Sequence, residues 1–128
     1  MTTCRFLVDE CVTADFIHGV RSHEPAIEIQ QVGERGAPRK GTLDRELLLI
    51  CESQRLALLS TDSTTLPLHV TEHTDKGHHT HGVFLSRPGA SFREILEDLR
   101  LMHGASSAEE WIDCLRKLPF HFRAGRPV

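Results

Sequence analysis

Acidic residues close two apolar runs of this chain and open what reads as a helix at a third place. Phe6-Leu7-Val8 leads directly into Asp9-Glu10, and Leu58-Leu59-Ser60-Thr61 leads into Asp62. Short runs of this kind are what a buried parallel strand looks like, and their acids would sit at the strand's carboxyl end. Gly41-Thr42-Leu43-Asp44-Arg45-Glu46 adds a third acid at a helix start. Carboxylates gathered at one sheet edge repel each other, and a hard divalent cation relieves that repulsion. Hydrolysis of a phosphodiester needs a nucleophilic water, charge neutralisation on the phosphoryl oxygens and help for the leaving oxygen. One or two Mg²⁺ or Mn²⁺ ions supply all three. Asp9, Asp44 and Asp62 are the expected ligands and catalytic acids, with Glu10 or Glu46 assisting. Each also has a plainer reading: Asp9-Glu10 could cap the first helix, Asp44 could answer a helix dipole, and Asp62 could cap a turn. Only their convergence would make a site.

Two other groups of side chains bear on that site. Arg35, Arg39, Lys40 and Arg45 flank the second acidic motif and could hold an RNA backbone there, although a loop this polar also suits plain solvation. The formal charge of −3 excludes a protein that coats nucleic acid by charge alone. His69, His73, His78, His79 and His81 fall in one stretch. Imidazoles suit a transition metal such as zinc, but no cysteine lies nearby and the spacing matches no established finger, so a His-rich polar loop is the simpler expectation. If that loop overhangs the acidic crevice, His81, just before a strand, is the best placed to meet a phosphate or a leaving group. The chain has no tyrosine, and Trp111 lies on an apolar stripe, so base stacking is not evident.

The elements that must position these residues follow from periodicity. Arg5 to Val8 reads as a strand, and Val12, Phe16, Ile17 and Val20 recur at helical spacing until His23-Glu24-Pro25. Ile27, Ile29 and Val32 suggest an edge strand, and Gly33 to Gly41 a loop. Leu43, Leu47, Ile50 and Cys51 make a helical stripe, and Leu56 to Leu59 a third strand. From Ser63 to Gly82 the signal weakens, and Thr64, Thr65 and Pro67 argue against a long helix. Val83 to Leu85 is a fourth strand. Ser91 to Glu94 and Ser107 to Glu110 fit capping boxes, the first opening a helix with Phe92, Ile95, Leu96, Leu99 and Met102 inward. The second predicts a last helix with Trp111, Leu115 and Leu118 inward, stopped by Pro119.

Strand and helix alternate, which predicts an α/β fold: three layers, α/β/α, around a mostly parallel sheet of order 2-1-3-4. The topological switch then falls between the first and third strands, and ligands bind at such switches. At 128 residues the chain predicts a single domain over 1–120 and a loose tail over 121–128. Cys4, Cys11, Cys51 and Cys114 show no C-x-x-C spacing and read as reduced core thiols, Cys51 and Cys114 on helix faces. With no membrane span and no signal-peptide core, the expectation is a soluble, cytoplasmic protein.

The combination of "FLVDE", a helix, a loop ending in G-x-x-D-x-E, an apolar helix and "LLSTD" resembles the PIN-like proteins, in their small toxin–antitoxin branch. The later "HTHGVFL", "SFREILEDLRLM" and "SAEEWIDCLRKL" resemble that branch's histidine-glycine strand and two final helices. The likeness spans about residues 5 to 118. It implies a metal-dependent ribonuclease with Asp9, Asp44 and Asp62 at the family's acidic positions, an RNA substrate and a cognate antitoxin. One position departs: the family commonly reads T-x-D-x-D-F after the third strand, and here Thr64 stands at the second acid, bringing no negative charge. A non-catalytic PIN-like module that only binds a partner is the alternative that Thr64 favours. A phosphorelay receiver would share the topology, with Asp62 as phosphoacceptor and Asp9 with Glu10 holding Mg²⁺. It would leave Asp44 without a role, and after Leu85 the chain runs Ser86-Arg87-Pro88, with no lysine. A homodimer through helical surface near the C-terminus is a further expectation.

Overall fold

Five short strands lie side by side, all parallel, in the computed structural model, which describes residues 2–121. In chain order the elements are β1 (Phe6–Val8), α1 (Ala14–His23), β2 (Ile29–Gln31), α2 (Asp44–Gln54), β3 (Ala57–Ser60), α3 (Leu66–Asp75), β4 (Val83–Ser86), α4 (Phe92–Ala105) and β5 (Leu115–Leu118), with one 3₁₀ turn at Ala108–Trp111. The sheet order is β2-β1-β3-β4-β5. Leu7 stands opposite both Gln30 and Leu58, Leu58 opposite Val83, and Leu85 opposite Lys117.

The three central strands are apolar on both faces because helices cover both. Phe6, Val8, Leu59 and Phe84 face Ile17 and Val20 of α1 and Leu96, Leu99 and Met102 of α4. Leu7, Leu58, Val83 and Leu85 face Leu47, Leu48 and Cys51 of α2 and Leu66 of α3. Alternate strand residues thus feed two separate cores, as the two-residue period requires. The chain leaves β1 for β2 on one side and crosses back to β3 on the other, so the switch falls between β1 and β3 as the alternation predicted.

Four expectations need correction. The stretch after Ser63 contains a ten-residue helix, α3. Pro67 sits in its first turn, where the missing N–H has no intrahelical partner to lose, so the residue read as a breaker is a starter. The final helix does not form. Its capping box exists, with Ser107 and Glu110 in reciprocal contact, but it opens only the 3₁₀ turn. Asp113 then reverses the chain at φ 60 and holds the segment before β4: its N–H donates to the Thr80 carbonyl (3.1 Å) and its carboxylate accepts from Thr80 N–H (3.0 Å). That hook carries the chain into β5, where Leu118 is buried and Leu115 exposed. On α2 the buried stripe is Leu47, Leu48 and Cys51, whereas Leu43 caps the helix in solvent and Ile50 is half-buried. The cysteines are all unpaired, but only Cys4 and Cys51 are core residues; Cys11 is exposed and Cys114 half-buried, in the turn before β5. Burial pushes the Cys51 thiol up to about 12, which keeps it protonated and inert.

Among the described residues no helix is long and apolar enough to cross a membrane. The predicted tail falls almost wholly outside the described residues.

Candidate metal centre at the carboxyl edge of the sheet

Asp9 is the first residue beyond β1, and its N–H still pairs with β3 through the Leu59 carbonyl (2.9 Å). The first helix begins only at Ala14, with Thr13 as its cap, so Asp9 and Glu10 do not cap it. Asp9 is buried, and its Oδ2 accepts a hydrogen bond from the Ser60 hydroxyl (3.1 Å). The same hydroxyl accepts from the Asp62 N–H (3.0 Å). Ser60, itself buried at the end of β3, therefore links the ends of the two strands that flank the switch.

Asp62 turns the chain into α3. Its Oδ1 accepts from the N–H groups of Thr64 (3.0 Å) and Thr65 (2.9 Å), and its Oδ2 accepts from the Thr65 hydroxyl. These bonds, the Thr65 hydroxyl foremost, hold the Asp62 carboxyl below the usual carboxylate range. The turn-capping role is therefore real. An ionised carboxylate has about four lone-pair positions, so one on Oδ2 is left for another partner. Thr64, in the place of a second acid, is exposed.

Asp44 is the first residue of α2 and half-buried. Its carboxyl is pushed above the usual range, first by burial and next by the negative charge of Asp9; Asp62 and Glu10 add to the push and His69 opposes it. The three expected aspartates and Glu10 thus share one electrostatic neighbourhood. The Gly33–Gly41 loop is tied to it, because Glu10 Oε1 accepts from the Gly41 N–H (3.1 Å). Arg39 and Lys40 immediately precede that glycine, and they, Arg35 and Arg45 are all exposed. The loop's other end is pinned to α1 by Arg21, whose two Nη atoms donate to the two oxygens of Glu34 (each 2.8 Å). Glu46 is exposed on the first turn of α2 and enters none of these contacts.

The histidine assignment changes. His81 precedes β4 and so lies at the amino edge of the sheet, opposite the acids. Burial and the Arg55 charge hold its imidazole below the usual histidine range, and His73, His78 and His79 gather at that same far edge. The histidine near the acids is His69, in the first turns of α3, with Nδ1 buried and lacking a hydrogen-bond partner. The sequence reads as loop around His69, which gives no reason to prefer it among the five histidines.

On the α1/α4 side of the same edge a cavity of about 570 Å³ opens, walled by Phe16, Phe84 and Phe92 with Cys11, Ser60 and Thr61 at its rim. Cys11 Sγ accepts from the Thr61 hydroxyl (3.1 Å) there. Periodicity alone assigns Phe16 and Phe92 to the core, which gives no sign of this cavity. Comparison with known protein families, with curated proteins and with solved structures found no match to this chain.

Proposed function

We propose that the chain is a metal-dependent ribonuclease of the PIN-like kind, acting in the cytoplasm and hydrolysing RNA phosphodiesters with Mg²⁺ or Mn²⁺ at Asp9, Asp44 and Asp62, assisted by Glu10. The observation that carries this reading is the placement of Asp9 and Asp62, linked through Ser60, and of Asp44 at the start of α2 beside the switch point, where burial and acidic neighbours raise the Asp44 carboxyl. A hard cation would remove the repulsion that the fold otherwise endures, and it would have to draw in carboxylates whose oxygens do not gather three together within 4.8 Å as they stand. All candidate donors are oxygens, the set that Mg²⁺ and Mn²⁺ prefer. When bound, the ion would neutralise the phosphoryl oxygens and activate water.

The chain's own residues divide the remaining work. Ser60 fixes the Asp9 carboxylate, and the turn into α3 keeps Asp62 charged and oriented. Arg35, Arg39, Lys40 and Arg45 hold the RNA backbone beside the acids. His69 takes the part first given to His81, as the histidine on the acidic side of the sheet whose charge acts on Asp44. The toxin role and a cognate antitoxin partner rest on the resemblance alone, and a homodimer loses the C-terminal helix first invoked for it.

A partner-binding module without catalysis is the second reading, favoured by exposed Thr64 and by the three hydrogen bonds that already occupy Asp62. The receiver alternative, with Asp62 as phosphoacceptor, leaves Asp44 without a role. The fifth strand does carry Lys117, so a late-strand lysine is present after all and its lack no longer counts against that alternative. The test is cleavage of a labelled mixed RNA pool with Mn²⁺, Mg²⁺ or chelator. A nuclease loses cleavage with Asp9→Asn or Asp44→Asn. Cleavage that survives both substitutions, or none under any metal, removes the nuclease reading in favour of the binding module.

A further inference from the structure

We propose that Glu52, His73 and His78 form a zinc-binding site, separate from the acidic centre and at the opposite edge of the sheet. Glu52 lies near the end of α2, His73 near the end of α3, and His78 in the loop that enters β4. Helices of a parallel sheet run back from its carboxyl edge, so all three residues lie at the amino edge.

The donor geometry carries the assignment. One ligand atom from each residue lies within 4.8 Å of the others. Glu52 Oε1 is 2.9 Å from His78 Nδ1 and 3.5 Å from His73 Nε2. A tetrahedral zinc ion about 2.0–2.1 Å from each ligand holds them about 3.3 Å apart. These two separations bracket that value and the two imidazole donors lie within 4.8 Å of each other, so side-chain rotations would admit the ion. Two imidazoles and a carboxylate are a donor set for zinc rather than for Mg²⁺ or Mn²⁺. The carboxylate is also oriented from behind, since Glu52 Oε2 accepts from the His79 N–H (2.8 Å). Such a supporting bond is what fixes a metal-ligating carboxylate. His73 is buried and stacks on His78 with ring centroids 4.9 Å apart. His78 and Glu52 are partly exposed, leaving solvent a way to the ion and to its fourth position.

Without metal, the same atoms form a closed hydrogen-bonded clamp. His73 Nε2 then carries its proton and donates to the His79 carbonyl (2.9 Å). Zinc takes the Nε2 lone pair, so binding shifts that imidazole to its other tautomer and breaks this bond. Both imidazoles must offer the ion a lone pair that a proton would otherwise occupy, so zinc and protons compete for the site.

The experiment is titration of the chelator-stripped full chain with Zn²⁺, read by a competing dye and by thermal unfolding, with Co²⁺ as a visible-absorbing substitute. One equivalent should bind, raise the melting temperature by several degrees when in large excess over its dissociation constant, and give cobalt a ligand-field band. His78→Ala, at a half-exposed position, and Glu52→Gln should each weaken zinc on the order of a hundredfold, while Asp9→Asn should bind it like the wild type. Melting in chelator establishes that each variant folds. Failure to bind one equivalent, or equal affinity in wild type and folded His78→Ala, overturns the proposal and leaves the clamp as a purely hydrogen-bonded device. Zinc binding that Asp9→Asn abolishes would assign the ion to the acidic centre and overturn it equally.

Discussion

Replacing Asp44 by asparagine should stabilise the metal-free protein and destabilise the metal-loaded one relative to wild type. Burial and the charges of Asp9, Asp62 and Glu10 hold the Asp44 carboxyl above its usual range. A carboxyl raised in the folded state binds its proton more tightly there than in the unfolded chain. Wild type therefore loses stability as pH rises from the unfolded value through the folded one, and the loss is complete above the folded value. Each partly exposed like-charge contact costs on the order of 0.5 kcal/mol, so three come to about 1.5 kcal/mol. Asparagine removes them together with the burial cost, which roughly offsets the lost attraction of His69, but also gives up a favourable charge at the start of α2, worth about 0.5 kcal/mol. The net gain is about 1 kcal/mol, or roughly 4 °C for a domain of this size. With Mn²⁺ at about a hundred times its dissociation constant, wild type gains about 2.7 kcal/mol and the variant little. The order of melting temperatures inverts between chelator and metal, and the chelator-state gap closes as pH falls through the Asp44 titration. Thermal unfolding at pH 7 and pH 4, with and without Mn²⁺, reads all of this. A variant that melts below wild type in chelator, or that gains as much from Mn²⁺, refutes the reasoning.

Other perturbations separate the structural from the chemical duties of the same residues. Asp62→Ala removes the acceptor of three hydrogen bonds at the entry to α3 and should cost about 1–2 kcal/mol in metal-free denaturant unfolding. A cost near zero would mean that the turn does not need it. The His79 imidazole is raised by its bond to Asp113 (2.7 Å), a contribution complete below the unfolded histidine value and lost as pH climbs through the folded one. Burial would raise Asp113, but His79 and the Thr80 N–H outweigh it and bring it below the usual range, so its share is lost only in acid. Asp113→Asn should therefore lower the melting temperature more at pH 6 than at pH 9, and an equal loss at both would show the imidazolium to be idle. Leu58→Ala, at a fully buried position in the central strand, should cost about 2–5 kcal/mol by chemical denaturation. Arg39→Ala and Lys40→Ala should weaken RNA binding uniformly across sequences and flatten its salt dependence; unchanged salt dependence would remove the loop from the RNA path.

Much of the architecture could be read from the chain because its central strands are buried on both faces. Phe6-Leu7-Val8 and Ala57-Leu58-Leu59 have no polar face to confuse a strand with a helix, and their short length excludes the latter. Leu115-Arg116-Lys117-Leu118 is ambiguous for a physical reason. Its leucines, three apart, suit one helical turn, whereas in β5 they lie on opposite faces and only Leu118 is buried. What decides is Asp113, whose grip on Thr80 is a tertiary contact with no local signature. The positions of Asp9 and Asp62 beyond the ends of β1 and β3 followed from strand direction alone. The exchange of His69 for His81 did not, because it depends on recognising α3, where Pro67 served as a helix start. Glu52 and His78 lie 26 residues apart and meet only because β3 and α3 intervene as a complete out-and-back crossover.

The position of β5 has its own consequence for the life of the protein in a crowded solution. Among the described residues it pairs on one side only, with β4, so a row of main-chain donors and acceptors faces outward. An edge of this kind invites a second copy to add its own strand, the first step toward ribbons and fibres. Arg116 and Lys117 occupy the middle of that four-residue strand and are both exposed. In an antiparallel pairing of two such edges, cations from one copy would be brought against cations from the other, a juxtaposition that destabilises a ladder. The strand is thus short and positively charged where it is open, which guards the monomer against its own sheet.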